Sequence, residues 1–304
     1  MSEYIKAEYG ALAKNELIQN NRASMLASGY TDIQLDMLPP KAIMGIACGN
    51  PTSACDLQPG MKLLDLGCGV GTDVILGGLK VMPGGLSIGL DFLPEMITRA
   101  KACAAECTAL DESATDFYVQ DIGLGKYDFD NNFFDYVISN CCICLVNQNK
   151  VFPEVFRVLK PGVNFVFCEE AYKAEASMPP ELDKLIKEAI DQKITPISND
   201  SVASIIFRIY VALAKNNAIE KEKMLELLRQ TGFESPQVVH ETPQLLSMSE
   251  PLEMESDRLS DSELQEYTRC LEQTLKKFDV NDYMTFVTIK AQKSSIKLFS
   301  VKSV

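Results

Sequence analysis

The chain has no tryptophan and a single histidine, His240, among its 304 residues. One imidazole rules out a histidine-rich metal site and leaves little room for His-based acid–base chemistry. Basic residues are short too: 29 Lys and Arg face 42 Asp and Glu, a formal charge of −13. With no basic stripe to displace counterions, a nucleic-acid partner is not expected. No stretch approaches the ~20 apolar residues that span a bilayer. The opening Met1-Ser2-Glu3-Tyr4 has no basic-then-apolar leader pattern. These absences predict a cytoplasmic protein with neither membrane nor nucleic-acid partner; a monomer is expected, on no specific sequence signal. Chemistry, if present, falls to a cofactor, to carboxylates or to thiols.

Thiols are plentiful. Ten cysteines are spread along a chain with no secretion signal, so a disulfide framework is not expected. From Lys62 onward the pattern is strand, glycine turn and helix, repeated. Lys62–Leu66 runs into Gly67-Cys68-Gly69-Val70-Gly71, and Leu86–Leu90 ends in Asp91 with a helix over Pro94–Cys107. Phe117–Val119 ends near Asp121. Phe134–Ser139 and Asn164–Cys168 follow, separated by the helix Val151–Leu159 and the turn Pro161-Gly162. This alternation predicts an α/β fold with a mostly parallel sheet covered on both faces, its ligand beyond the carboxyl ends of the strands. After Glu170 the chain reads mostly as helix. One helix opens at Pro179-Pro180, one over Lys221–Gln230 stops at Gly232, and one is opened by a Ser260–Glu263 capping box. The last of these has an apolar stripe of Leu264, Tyr267, Leu271, Leu275 and Phe278. Gln237–Glu241 and Met284–Lys290 read as late strands, with His240 structural or on the surface. From Glu250 to Asp282 ten acidic residues face four basic ones, which predicts a solvated negative helix face. Three segments result: 1–50 as a helical cover, 51–172 as the ligand-binding domain, and 173–304 as a substrate or lid region.

The glycine loop carries the most information. A dinucleotide site wants G-x-G-x-x-G with a pyrophosphate on the helix N-terminus. Here the spacing is G-x-G-x-G, and Asp65 stands two residues before Gly67. A carboxylate at the mouth of that loop repels pyrophosphate and attracts an ammonium. S-adenosylmethionine, which carries an amino group and a sulfonium but no phosphate, matches this electrostatics. Asp91 at the second strand end suits ribose hydroxyls. Asp121 at the third suits an adenine amino group, with Ile122 beside the ring; a helix N-cap is the alternative for either acid.

On these residues the chain resembles the class I S-adenosylmethionine-dependent methyltransferases over about residues 51–170. The resemblance implies a Rossmann-like, seven-stranded, mostly parallel sheet with an antiparallel last strand at Met284–Lys290 and a helical C-terminal lid. It also implies donor-binding roles for Asp65, Gly67, Gly69, Gly71, Asp91 and Asp121. Narrower segments, Gly45-Ile46-Ala47-Cys48-Gly49-Asn50-Pro51 and Val137-Ile138-Ser139-Asn140-Cys141, resemble the arsenite methyltransferases, as do Pro94-Glu95-Met96 and Arg157-Val158-Leu159-Lys160-Pro161-Gly162. That resemblance implies trivalent arsenic held by the thiolates of Cys48 and Cys141, with a thiol reductant as co-substrate, and assigns Asp73 to the donor site. Cys142 and Cys144 are candidate auxiliary thiols. The cysteine pair common near the family's N-terminus is absent, since residues 1–47 contain none, and none lies between Cys168 and Cys270, where the family places another. The comparable stretch is about 207–214.

No resident metal is expected, because Cys48, Cys141, Cys142 and Cys144 lack the common zinc spacing. Cys55, Cys68, Cys103, Cys107, Cys168 and Cys270 read as small buried hydrophobes. Two other functions remain open: methylation of an O, N or C atom of a small metabolite, with Glu169, Glu170 or Tyr172 as base, and a non-catalytic donor- or arsenic-binding partner protein. Two thiolates on one arsenic must approach within about 4 Å, from soft-metal bond lengths of about 2.3 Å, so the Cys48–Cys141 separation is the deciding measurement.

Overall fold

The computed structural model describes residues 21–172, 179–196, 219–242, 253–277, 282 and 284–295. It divides into two units. The first comprises residues 1–169, 222–241 and 286–304, the second residues 170–221 and 242–285.

In the first unit, two short helices, α1 (Arg22–Ala27) and α2 (Asp32–Asp36), precede the sheet. Both are capped by their own sequence: the Asn21 side chain accepts from the Ser24 N–H, and Thr31 with Gln34 forms a capping box. Met25 of α1 and Leu35 of α2, with Tyr30 and Leu38 just beyond them, join Ile75, Leu76, Cys103 and Cys107 in one core cluster. The sheet then builds as β1 (Lys62–Leu66), α3 (Thr72–Val81), β2 (Leu86–Asp91), α4 (Pro94–Glu106), β3 (Thr115–Val119), β4 (Phe134–Asn140), α5 (Gln148–Val158) and β5 (Leu159–Tyr172). In the second unit come α6 (Pro180–Asp191) and the two-residue strands β6 (Thr195–Pro196) and β7 (Ile219–Glu220). Helix α7 (Lys221–Thr231) and β8 (Phe233–Thr242) fall almost wholly in the first unit, β9 (Met254–Glu255) and α8 (Asp261–Leu275) in the second, and β10 (Met284–Lys293) in the first from residue 286 on.

The sheet order is β3-β2-β1-β4-β5-β10-β8, seven strands in all, with β7 pairing β5 as a short eighth. Strands β1 to β5 pair in parallel. The register runs Leu64↔Ile88 on one side of β1 and Leu64↔Val137 on the other. The continuous apolar runs make sense in this position: Leu63, Leu64, Leu66, Val137 and Ile138 are all buried, because helices cover both faces. Phe165 and Phe167 stack at 4.7 Å on β5, with Phe152 of α5 against both. Each such buried ring contributes roughly 1.5–3 kcal/mol.

The expected turn at Pro161-Gly162 lies inside β5 as a bulge. Phe134 pairs with Leu159, yet Tyr136 pairs with Asn164, so three extra residues are taken up between them. Gly162, at φ 79°, absorbs the kink.

In the second unit, α6 buries Leu182, Ile186 and Ala189. Its partner α8 buries Tyr267, Leu271 and Leu275, and the Tyr267 hydroxyl donates to the Leu185 carbonyl at 2.7 Å. The Ser260–Glu263 capping box forms. Phe278 and the stretch 207–214 lie outside the described residues, as do residues 1–20. Strand β8 presents His240 exposed, as expected. Cys270 departs from expectation: it is half-buried, its thiol turned to Glu266 Oε1 at 3.7 Å, because it sits between the buried and solvent faces of α8.

Candidate functional site

The carboxyl ends of β1, β2 and β4 open into a cleft with about 910 Å³ of empty space, part of it open to solvent. Three carboxylates line it: Asp65 in β1, Asp73 in the first turn of α3, and Asp91 at the end of β2. The glycine loop connects them. Gly67 turns the chain at φ 78°, and a Cβ there would collide with the Cys142 thiol, so both conformation and close approach require glycine.

Each carboxylate has different company. Asp91 organises the loop, accepting the Gly69 N–H at 3.0 Å on Oδ2 and the Leu93 N–H at 2.9 Å on Oδ1. Asp73 accepts from Thr52 Oγ1 at 2.9 Å, from the Tyr30 hydroxyl at 2.8 Å and from Asn140 Nδ2 at 3.2 Å. The Asp65 carboxylate accepts no hydrogen bond from the described residues. Burial, with Asp73 and Asp91 adding repulsion, lifts its pKa well above the carboxylate range. Burial also raises Asp73, against the lowering effect of its three hydrogen-bond donors and Lys80. Asp91 is raised by burial against its backbone donors. The opposite wall is apolar, with Met25, Met44, Ile46, Leu93, Met96 and Ile122. A buried carboxylate without a donor beside an apolar wall suits a cationic ligand that carries an aromatic group. It does not suit a pyrophosphate.

Of the expected donor-site residues, Asp65, Gly67, Gly69, Asp73, Asp91 and Ile122 line the cleft. Asp121 takes the alternative role of N-cap, accepting the Gly123 N–H at 2.9 Å in the short 3-10 turn Ile122–Leu124. Gly71 starts α3 at φ 85°, packed against Phe117 and Ala100.

The thiols are placed unequally. Cys48 and Cys141 are joined in a disulfide with Cα atoms 5.5 Å apart across a sequence separation of 93. A disulfide was not expected from the sequence. It forms because β4 ends beside the 48–50 loop, which puts the two cysteines within bonding reach. Cys141, at φ 53°, lines the cleft, and Cys48 is buried behind it. Cys142 also lines the cleft, but it is buried. Desolvation, then Asp91, Glu169, Asp65 and Asp121, push its thiol pKa well up, so it stays protonated. Cys144 is buried, and its N–H donates to Glu169 Oε2 at 3.0 Å. Neither Cys144 nor Glu169 lines the cleft. Glu170 and Tyr172 belong to the second unit. Among the described residues no group of three or more metal-type ligands converges. Burial raises the thiols of Cys55, to about 12, and of Cys103, to about 11.

Sequence reasoning missed Tyr30, Thr52 and Asn140. Asn140 had one signal, its place between β4 and Cys141. Tyr30 and Thr52 had none, because they reach Asp73 from the link between α1 and α2 and from the short 3-10 turn Pro51–Ala54, neither of which carries a periodicity.

A family model described as "Methyltransferase domain" matches residues 57–232. An arsenite methyltransferase of Halobacterium salinarum is 35% identical over 135 residues, covering 44% of this chain and 33% of that protein. An arsenite methyltransferase of Aquipseudomonas alcaligenes is 28% identical over 184 residues, covering 56% and 50%. The chain thus spans a third to a half of the length of these curated relatives. An arsenic(III) S-adenosylmethionine methyltransferase from Chlamydomonas reinhardtii shares the fold, with a TM-score of 0.53 at 19% identity over 89% of this chain and 73% of that one. So does a phosphoethanolamine N-methyltransferase of Haemonchus contortus, solved with S-adenosylhomocysteine, with a TM-score of 0.51 at 18% identity over 78% and 50%. Glycine loop, acidic cleft and sheet order agree with the domain match, which spans more than half of the chain. The protein belongs to the methyltransferase-domain family, and its fold is the one shared by these S-adenosylmethionine methyltransferase structures.

Proposed function

We propose that the protein methylates trivalent arsenic bound through thiols, with Cys48 and Cys141 as the two ligands once their disulfide is reduced. The observation that carries this reading is the pair itself: two cysteines 93 residues apart, brought to a Cα separation of 5.5 Å, one of them facing the donor cleft. Arsenic is thiophilic, and two thiolates leave its third position to a small thiol, a hydroxyl or a methyl group, so arsenite and methylarsenite both fit. Asp65 accepts the donor's ammonium, Asp91 its ribose hydroxyls, and Ile122 lies against its adenine. When bound, the donor supplies an electrophilic methyl group on a sulfonium. The cysteine pair aims the arsenic lone pair at that methyl, and such positioning accounts for much of the acceleration in this kind of displacement. Methylation takes arsenic from +3 to +5. Two thiols restore +3 by giving up two electrons and forming a disulfide, the state in which Cys48 and Cys141 are seen.

The reduced protein, incubated with donor, small thiol and arsenite or methylarsenite, should release methylated arsenicals. Absence of product, together with methyl transfer to an organic acceptor, overturns the arsenic assignment. Turnover only after a second protein is added would identify a partner subunit.

Donor binding should depend on pH. Asp65 has a raised pKa in the empty site, and an ammonium beside it favours the ionised form, so affinity rises with pH through that raised value. Below it, binding releases a proton. The sign for stability is opposite. With folded pKa values above the unfolded ~3.9, the three acids leave the empty fold most stable at low pH, and that contribution is lost as pH rises through their folded values. Calorimetry at a series of pH values, in buffers of different ionisation enthalpy, reads the proton directly. Binding heats independent of buffer would refute the Asp65 assignment.

A further inference from the structure

Asn140 closes β4, and its carboxamide is engaged on every side. Oδ1 accepts the Cys48 N–H at 3.0 Å. Nδ2 lies 2.9 Å from the Gly49 carbonyl, 3.0 Å from the Tyr30 hydroxyl oxygen and 3.2 Å from Asp73 Oδ2. The nitrogen has two protons to share among these three acceptors, while the Tyr30 hydroxyl gives its own proton to Asp73 at 2.8 Å. The side chain therefore grips the Cys48-Gly49 segment as a second peptide would, accepting from one N–H and donating to the next carbonyl. Its own main chain leads directly into Cys141, whose N–H donates to the Cys168 carbonyl at 2.9 Å. One carboxamide thus meets both cysteine-bearing segments and one wall of the donor cleft.

We infer that Asn140 is the positioning residue of the thiol pair: it registers the Cys48 segment on the Cys141 turn and ties that register to Asp73. The inference depends on the proposed function only for what the pair is used for. The register itself can be read without arsenic or donor. Oxidised glutathione plus the reduced pair gives the Cys48–Cys141 disulfide and two reduced glutathiones, two electrons and two protons passing from pair to glutathione. The more closely the two sulfurs are held, the more oxidised the pair is at a given glutathione ratio.

Asn140→Ala removes the whole grip and should lower the equilibrium ratio of disulfide to dithiol about tenfold, or about 30 mV for a two-electron couple. Asn140→Asp keeps the acceptor for the Cys48 N–H but replaces the donor by an oxygen beside Asp73. The titratable groups around that position are Asp73 and Lys80 on α3, Asp65 on β1, the Tyr30 phenol and the Cys168 thiol on β5. Burial and the neighbouring carboxylates hold the introduced acid protonated to unusually high pH, and in that form it donates a proton as the amide does. Asn140→Asp should therefore lie closer to wild type at the acid end of a pH series and fall toward Asn140→Ala as pH rises past the ordinary carboxylate range. Two variants that track each other at every pH, or that both match wild type, overturn the inference. Should Asn140→Ala not fold, Tyr30→Phe removes one acceptor from Nδ2 and one donor to Asp73. A fall of about threefold in the same ratio is then expected, and an unchanged ratio overturns the inference. Because the only probe is glutathione, a negative arsenic assay leaves this result intact.

Discussion

Replacing Cys141 by serine is expected to cut arsenical methylation by at least about a hundredfold while leaving donor affinity within about threefold. A hydroxyl is a hard, neutral ligand, so arsenic keeps only the bond to Cys48 and swings away from its aligned position. A displacement of about 1 Å at a reacting centre already costs about a hundredfold. No neighbour replaces the lost thiolate. Cys142 is next in the chain, but burial and four surrounding carboxylates keep its thiol protonated, and it is wedged against Gly67. Cys144 is buried away from the cleft. Cys144→Ser should accordingly leave turnover within a few-fold. Donor affinity holds in Cys141→Ser because Asp65, Asp73 and Asp91 are untouched. Comparison of kcat/KM for methylarsenite with a donor-binding titration separates the two effects. Turnover close to wild type would mean that the methyl goes to an acceptor that needs no thiolate.

What the sequence makes legible follows from periodicity. The strands β1, β2 and β4 are continuous apolar runs because helices cover both faces of the sheet; β1 runs into Gly67, β2 ends in Asp91 and β4 ends in Asn140, all at the cleft. The spacing of Asp65, Gly67 and Gly69 therefore locates the loop that lines the cleft. The Pro161-Gly162 bulge is hidden by the same logic, since Pro and Gly signal a break in the chain without saying whether a strand continues through it. Asp121 illustrates a real ambiguity: an acid at a strand end is chemically able to bind a ligand or to cap a turn, and Gly123 two residues on accepts it as a cap. In the Tyr30–Asp73–Asn140–Thr52 cluster, motifs point to Asp73 and Asn140 singly, but their meeting with Tyr30 and Thr52 is not legible. Its members come from four separate segments, and single polar residues meeting across loops leave no repeat to find. The cysteine pair lies between these cases. Short motifs name Cys48 and Cys141, but only the fold places the end of β4 beside the 48–50 loop.

Asp91→Ala should abolish the stabilisation that the donor confers. Asp91 has two tasks in this cleft. It holds the glycine loop through the Gly69 and Leu93 N–H groups, and in the proposed function its carboxylate accepts from the donor's ribose. Hydrogen bonds to a charged acceptor are worth about 1.5–3 kcal/mol each, so losing two from the ribose weakens binding by at least about a hundredfold. Thermal unfolding gives the readout. At a donor concentration a hundred times the wild-type Kd, the wild-type protein gains about 2.7 kcal/mol, whereas a variant binding a hundredfold more weakly gains about 0.4 kcal/mol. Without donor, the variant should unfold within about 1–2 kcal/mol of wild type. Burial raises the Asp91 pKa, so its ionisation is a burden on the empty fold that partly offsets the two backbone hydrogen bonds. The two measurements thus move apart: the empty protein is little changed and the donor-bound increment is lost. A variant that retains the full donor-induced shift would show that the ribose is held elsewhere, and that the acid at the end of β2 serves only to shape the loop.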